Sequence, residues 1–404
     1  MDNLLAWGIL ALATFSGAIA VGVALYHAAF LAVAACCRKP RRCEGAEPAH
    51  SFAIVVPAHD EEATIVQALE CCESLDYPET LRRVYVVADN CSDGTAEVAE
   101  RRGAICLVRH DEQRRGKGHA LAWALPRVLA DGCDAVLVLD ADCRIDRHAL
   151  RVFDAELSRG GRVLQASYVV ANPDENARSY VLALANVLEN DCFYAPKSAL
   201  GLAVFLRGTG MVLHRDVLQR FPWQAGSIVE DVEYACELIE GGERIRFVPE
   251  VRVISDFPVR AEQLAVQRRR WIGGGAHVAI AWVPRFVRQS LRTGRPALLD
   301  AAVTLMVLGR PLVLTQLLAS LAVALVCHAF WPGIWTKCLL LACAAVAGWY
   351  VLYAGVGVLR LGLSRKRAAL LVRLPWSIAE YLVMAVRAVA QCNPTRWERT
   401  PRGE

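Results

Sequence analysis

The stretch VLVLDADCRI, residues 136–145, runs four apolar residues straight into two carboxylates, Asp140 and Asp142. A buried strand gains nothing in packing from paired acids at its tip. Two earlier apolar runs end in a similar way. FAIVVPA (52–58) is followed by His59, Asp60 and Glu61, and RVYVVAD (83–89) closes on Asp89 before Asn90, Cys91, Ser92, Asp93 and Gly94. Any one tip suits an N-cap or a turn, because Asp, Asn, Ser and Gly serve both purposes. Acids at several tips that face one crevice repel one another unless a cation binds. Oxygen-rich carboxylate sites beside phosphate select Mg2+ or Mn2+. DAD therefore reads as a grip on a metal-bound diphosphate. No G-x-G-x-x-G follows the first run, so a dinucleotide-binding turn is not indicated.

The elements that must position these acids alternate in type. DEEATIVQALECCESL has helical spacing, with Asp60 as its expected N-cap. SDGTAEVAERRG reads as a turn, a short helix and a glycine stop. AICLV is a third strand, GHALAWALPRVLA a helix and AVLVLD a fourth strand. Buried strands separated by helices imply a parallel sheet covered on both faces. Ligands of such sheets bind beyond the C-terminal ends of the strands, where the acids are.

Around this soluble texture the chain is apolar. Of its 404 residues 55% are hydrophobic, and the mean hydropathy is +0.30. Residues 4–35 contain no Asp, Glu, Lys or Arg, and about 20 apolar residues span a bilayer as a helix. The run lacks a basic leader and reads as a retained anchor. RKPRR (38–42) follows it and places the N-terminus outside, with the next segment inside. Apolar density returns at 298–330 and 337–360, between the basic flanks RFVRQSLRTGR and SRKR. That predicts a membrane hairpin, with a short interfacial helix before Arg310 and a span after Pro311. Residues 368–391 carry Arg373, Glu380 and Arg387 seven apart, as one stripe of an amphipathic helix on the inner surface. The expected organisation is an anchor at 1–37, a basic linker at 38–50 and a catalytic domain at 51–290. An interfacial helix, two transmembrane helices (about 311–330 and 337–360) and the amphipathic helix fill 291–391, before a cytoplasmic tail at 392–404.

Composition excludes other classes. The fifteen cysteines form no C-x-x-C, and the nine histidines form no H-E-x-x-H. Neither a disulfide framework nor a zinc site is indicated. The net charge of +4, concentrated beside the apolar runs, suits anionic lipid, and no nucleic-acid motif is present.

VVPAHDEE, DNCSDGT, RGKGHAL, LDADCR, RGTGM, VEDVEY and QRRRW occur in that order. Over residues 51–275 the chain resembles membrane-bound family 2 glycosyltransferases, in the Q-x-x-R-W subgroup that includes cellulose, chitin and hyaluronan synthases. The resemblance implies an α/β catalytic domain of the GT-A fold, Rossmann-like with a mostly parallel sheet, facing the cytoplasm and joined to transmembrane helices. It implies that Ala58, Glu61 and Asp89 line the nucleoside pocket, with Lys117 near the base or phosphates. Asp140 would contact ribose or metal-bound water, and Asp142 would ligate Mg2+ or Mn2+. Asp231 would be the general base. Gln267 and Arg270 would hold the diphosphate, and Trp271 would wall the acceptor site, which Gly208 and Thr209 approach closely. Asn90 stands where many relatives have a second Asp, and is given no charge-dependent role. Arg268 and Arg269 suit a basic membrane-facing surface.

These roles imply an inverting single displacement that moves a sugar from a nucleotide sugar, expected to be a UDP sugar. The expected acceptor is a membrane-associated glycan or polysaccharide. The alternatives are transfer of one sugar to a lipid, as in ceramide glucosyltransferase-like enzymes, synthesis of polyprenyl-phosphate sugars, and an inactive nucleotide-sugar sensor. Three spans are few for a lone polymer channel, which favours short extension or lipid transfer. The expected setting is the bacterial inner membrane, with the bilayer as partner, no nucleic acid, and homo-oligomerisation left open.

Overall fold

The computed structural model describes residues 2–36, 47–224, 227–257, 261–308 and 310–391. Most of the expected basic linker, and the whole expected tail 392–404, lie outside the described residues. The four apolar runs form β1 (Phe52–Ala58), β2 (Arg82–Asp89), β3 (Ile105–Arg109) and β4 (Ala135–Val138), all parallel. They continue into β5 (Cys143–Ile145), β6 (Val163–Val170), β7 (Met211–His214) and β8 (Ile245–Ser255), giving one sheet of order β3-β2-β1-β4-β7-β6-β8-β5. β7 runs antiparallel between β4 and β6, and β5 runs antiparallel to β8. The result is a mixed α/β sheet whose first half is a parallel, Rossmann-like wound unit.

β1, β2 and β4 read as continuous apolar runs because both of their faces are covered. Val55, Val87 and Val138 pack under the helix Lys117–Ala130 on one face. Ile54, Val86 and Leu137 pack under the helices Ile65–Glu73 and Ala149–Ser158 on the other. Side chains alternate across a strand, so each run feeds two cores.

Two details depart from the sequence reading. β4 ends at Val138, and Asp140 and Asp142 lie past the last paired residue. Asp60 is not the N-cap of the following helix, which begins at Ile65. Its backbone takes the left-handed conformation (φ 52°) and its Oδ1 accepts the Ser92 N–H at 2.7 Å. The carboxylate serves the neighbouring strand tip, so a local turn replaces the expected first helical turn.

Among the described residues three helices are long and apolar enough to cross a membrane: Trp7–Cys36, Val313–Phe330 and Ile334–Leu361. They fit a membrane protein. The short apolar helix Pro296–Leu308 precedes the second. Residues 368–391 do not form one amphipathic helix. Arg365–Val372 and Leu374–Gln391 are separate helices bent by 58°, with Arg373 at the break and so off the stripe of Glu380. Glu380 instead pairs with Arg178 of the helix Ala177–Glu189 at 3.0 Å. Ala385 and Ala388 pack on Ile272. The last helix thus lies against the sheet domain as well as beside the apolar helices. Asp174–Arg367 (2.6 Å) and Asp191–Arg360 (3.3 Å) add two more ion pairs between the same layers.

Candidate active site

The tips of β1 and β2 are tied to each other. Besides the Asp60–Ser92 bond, Glu61 N–H donates to Thr95 Oγ1 at 2.8 Å and Gly94 N–H donates to Glu62 Oε2 at 2.9 Å. Glu61 keeps its carboxylate on the cavity side, where Thr64 Oγ1 donates to it at 2.5 Å. Asp89 closes β2 and is buried. Arg109, the last residue of β3, donates to Asp89 Oδ1 at 2.5 Å, and Asn90 Nδ2 donates to the same oxygen at 3.0 Å. Asn90 itself takes φ 53° and accepts the Asp111 N–H, so it shapes the turn. Arg109 was missed from sequence because a single charge after an apolar run has no pattern of its own.

Past β4, Asp140 is held from both sides. Its N–H donates to Thr209 Oγ1 at 3.1 Å, and Lys117 Nζ donates to its carboxylate. Thr209, expected on the acceptor wall, is buried and gives its hydroxyl to this support. Asp140, Asp142 and Cys143 bring three potential ligand atoms within 4.8 Å of one another. Burial pushes the Cys143 thiol well up, and the adjacent carboxylates push it further. The hard oxygens of the two carboxylates fit Mg2+ or Mn2+, whereas a soft thiol suits other metals.

Opposite them, Asp231 opens the helix Glu230–Glu240, where the helix dipole favours an anion. Gly208 faces it. A Cβ on Gly208 would lie 3.3 Å from Asp231 Oδ2 and 3.4 Å from Lys117 Nζ, and its φ of 77° is left-handed. Only glycine passes between the two groups without strain. Burial raises the Asp231 carboxyl, and the charge of Glu230 raises it further, against the pull of Lys117. Burial alone would lower Lys117, but Asp140, Glu230 and Asp231 together raise it, so it stays an ammonium.

QRRRW ends the helix Ala261–Arg268 and enters a wide π turn, Arg269–Gly273. Gln267 Oε1 and Arg270 Nε are buried and have no hydrogen-bond partner among the described residues. Both residues line the cavity. Such orphaned polar atoms are costly unless a ligand meets them. Trp271 is 39% exposed, with its ring 6.0 Å from Phe257. Arg268 is not lipid-facing. It is buried, with its guanidinium carbon 5.5 Å from the Phe257 ring and 5.2 Å from the Trp271 ring.

All twelve residues expected at the site line one cavity of about 1610 Å³. That exceeds the roughly 300–1,000 Å³ of an ordinary ligand pocket. The excess runs toward the apolar helices. His27, Val313, Leu317, Tyr350 and Tyr353 belong to the same wall as Asp142 and Asp231.

The model of the family described as glycosyltransferase-like family 2 matches residues 48–274. The chain belongs to that family. The transferase is 25% identical over 261 residues to the probable glycosyltransferase YdaM of Bacillus subtilis, covering 62% of this chain and 61% of that one. It is 29% identical over 292 residues to the beta-monoglucosyldiacylglycerol synthase of Trichormus variabilis, covering 68% of this chain and 58% of that one. The transferase therefore spans about 60% of the length of these curated relatives. Its fold is similar to that of the mannosyltransferase PcManGT from Pyrobaculum calidifontis, solved in complex with GDP-Man and Mn2+. The TM-score is 0.58 at 21% identity, covering 95% of this chain and 99% of that one.

Proposed function

We propose that this transferase moves one sugar from a nucleotide sugar, expected to be a UDP sugar, to the hydroxyl group of a membrane lipid, with inversion. The observation that carries the lipid acceptor is the single cavity joining Asp142 and Asp231 to the side chains of membrane-length helices. A soluble glycan needs no apolar chamber, and three membrane-length helices among the described residues are few for a polymer channel. The likeness to a relative named for monoglucosyldiacylglycerol synthesis supports the same choice.

In this reading Asp89, oriented by Arg109, Ala58 and Glu61 bind the nucleoside. Gln267 and Arg270 complete their missing hydrogen bonds on the diphosphate, as the Q-x-x-R-W pattern implies. Lys117 and Asp140 hold the donor from the side of the DAD tip. Asp142, beside Asp140, would hold Mg2+ or Mn2+. Such a cation, when bound, neutralises charge on the leaving diphosphate. Asp231 takes the proton from the acceptor hydroxyl, a contribution of about 10²- to 10⁴-fold. Trp271 walls the sugar. With Asp231 as base, a single displacement inverts the anomeric centre. The basic flanks support a catalytic domain on the cytoplasmic face of the membrane, expected to be the bacterial inner membrane.

The test uses the full chain in phosphatidylcholine vesicles with Mg2+ or Mn2+ and a panel of nucleotide sugars. Nucleotide release should be stimulated by lipids bearing a free hydroxyl. Stimulation by soluble oligosaccharides alone would overturn the lipid assignment.

A further inference from the structure

Between Asp231 and the apolar end of the cavity stands a polar cluster that the donor chemistry does not use. Arg207 immediately precedes Gly208. Its backbone N–H donates to Gln165 Oε1 at 2.9 Å, and Gln165 Nε2 donates to the Thr209 carbonyl at 2.9 Å. Gln165 is fully buried, so it fixes the loop that carries both Arg207 and Gly208. The Arg207 guanidinium donates to Asn190 at 2.8 Å, to Asn186 at 3.3 Å and to Glu189 at 3.3 Å. Its carbon lies 5.5 Å from the Tyr168 ring. Asn186 and Glu189 share the helix Ala177–Glu189 with Leu184 and Leu188, which pack with Tyr353 of the membrane-length helix Ile334–Leu361. Asn190 begins a π turn, Asn190–Tyr194, a geometry frequent at functional sites.

One helix therefore offers polar groups beside Arg207 and apolar groups beside the lipid-level helix, along one cavity wall. That order matches an amphiphile with its reactive head near Asp231 and its tail among Leu184, Leu188 and Tyr353. The charge of the head follows from the pairing. The other Arg and Lys side chains of the cavity among the described residues, Arg115, Lys117, Arg268 and Arg270, come from the entry to the helix Lys117–Ala130 and from QRRRW. Among the described residues the remaining Arg or Lys of the cavity is Arg207, already matched by Glu189. A phosphate head would meet the Glu189 carboxylate in a poorly solvated space, where like charges repel strongly. An uncharged hydroxyl can accept from Arg207 or donate to Glu189 and leaves no charge unmatched. The two 3.3 Å contacts are long for charge-assisted bonds, so their partners can be rebonded by a ligand.

We propose that Arg207, held by Glu189, Asn186 and Asn190, binds the acceptor headgroup and selects a lipid with an uncharged alcohol over a lipid phosphate. The proposal rests on the lipid-acceptor reading above. It is tested with the full chain in phosphatidylcholine vesicles containing either dioleoylglycerol or undecaprenyl phosphate, using whichever nucleotide sugar turns over fastest. Wild type should release nucleotide with dioleoylglycerol and not with undecaprenyl phosphate. Arg207→Lys should raise the acceptor KM about tenfold with a much smaller change in kcat, since a point charge loses the planar fork. Glu189→Gln exposes the Arg207 charge and should shift selectivity toward undecaprenyl phosphate by about tenfold or more. Asn186→Ala, a milder change, should raise the acceptor KM a few-fold. Calorimetry with nucleotide monitors folding, and donor affinity should stay near wild type in all three variants. Lipid-dependent turnover with unchanged KM and selectivity in the variants would overturn the headgroup assignment alone. Equal loss of nucleotide binding and acceptor use would also overturn it, by placing the cluster in the donor site or the scaffold. Absence of stimulation by either lipid would overturn the lipid-acceptor reading itself.

Discussion

Lys117 Nζ donates to the Gly208 carbonyl oxygen at 2.6 Å, and through that contact the RGKGHAL and RGTGM segments meet directly beside Asp231. The lysine also donates to Asp140. One ammonium thus links the DAD tip, the glycine loop and the carboxylate proposed as base.

Gly208→Ala tests that junction. The new methyl would meet Asp231 at 3.3 Å and Lys117 at 3.4 Å, on a backbone with φ 77°. A non-glycine residue in that region costs about 1–2 kcal/mol, and relief of the contacts must displace one of the two charged groups. Turnover should fall at least tenfold while the melting temperature drops by a few degrees. Wild-type rates in Gly208→Ala would show that the alignment of Lys117 and Asp231 is not set by this loop.

Asp231 predicts a pH dependence. Burial disfavours its charge and Glu230 adds a like charge, so its carboxyl is pushed up to about 7 despite Lys117. A base must be ionised to act, so kcat/KM should rise as pH climbs through that value. Glu230→Gln removes the second cause and should move the rising limb to lower pH. Stability follows the opposite sense. The folded chain holds this proton more tightly than the unfolded chain does. Its contribution is fully present below the ordinary value of 3.8 and is lost as pH rises through about 7. Asp231→Asn should flatten that slope in pH-dependent melting curves. A rising limb that stays in place in Glu230→Gln would remove Asp231 from the profile.

Asp89 and Arg109 are each 5% exposed and form an ion pair at 2.5 Å. Removing one partner of a buried pair leaves an uncompensated charge, at a cost of about 3–5 kcal/mol. Arg109→Ala should therefore lower the melting temperature sharply and weaken nucleotide binding, because Asp89 loses the group that orients it. The double change Asp89→Leu with Arg109→Leu should regain much of the stability and none of the nucleotide affinity. Recovery of both would reduce the pair to scaffold.

β1, β2 and β4 were legible because they are covered on both faces and read as unbroken apolar runs, whereas β3, at the sheet edge with Ile105 and Val108 exposed, was legible from its apolar composition alone. The antiparallel half was not. β7 is four residues long, Met211–His214, too short to show a period. Site residues with charges at strand tips were visible one by one, and their convergence followed from the sheet. Side chains that act through others were hidden. Arg109 and Arg207 each follow an apolar stretch with no repeating pattern, and only the folded chain shows that they face Asp89 and Glu189. Asp60 misled because an acid before a helical stretch has the same local appearance as an N-cap. The break at Arg373 was masked by apolar residues on both sides of it. Arg268 was legible as basic, but its stacking on Phe257 and Trp271 depends on the π turn.

The strongest discrimination between binding and chemistry comes from Asp231 and Arg270. Asp231 acts only when the acceptor attacks, so Asp231→Asn should lower turnover about 10²- to 10⁴-fold and leave donor affinity nearly unchanged. Arg270 has a buried Nε with no partner among the described residues and faces the same cavity. Its guanidinium is available for the donor diphosphate. Arg270→Ala should weaken nucleotide binding by about 1.5–3 kcal/mol, the range of a hydrogen bond to a charged group, and lower turnover as well. Arg270→Lys should recover part of the affinity, because a lysine supplies the charge without the fork. Calorimetry with the donor nucleotide, set beside steady-state rates, separates the two behaviours. If Asp231→Asn loses donor affinity as severely as Arg270→Ala, Asp231 belongs to the donor site, and Glu230, adjacent to it on the cavity wall, becomes the residue to test as base.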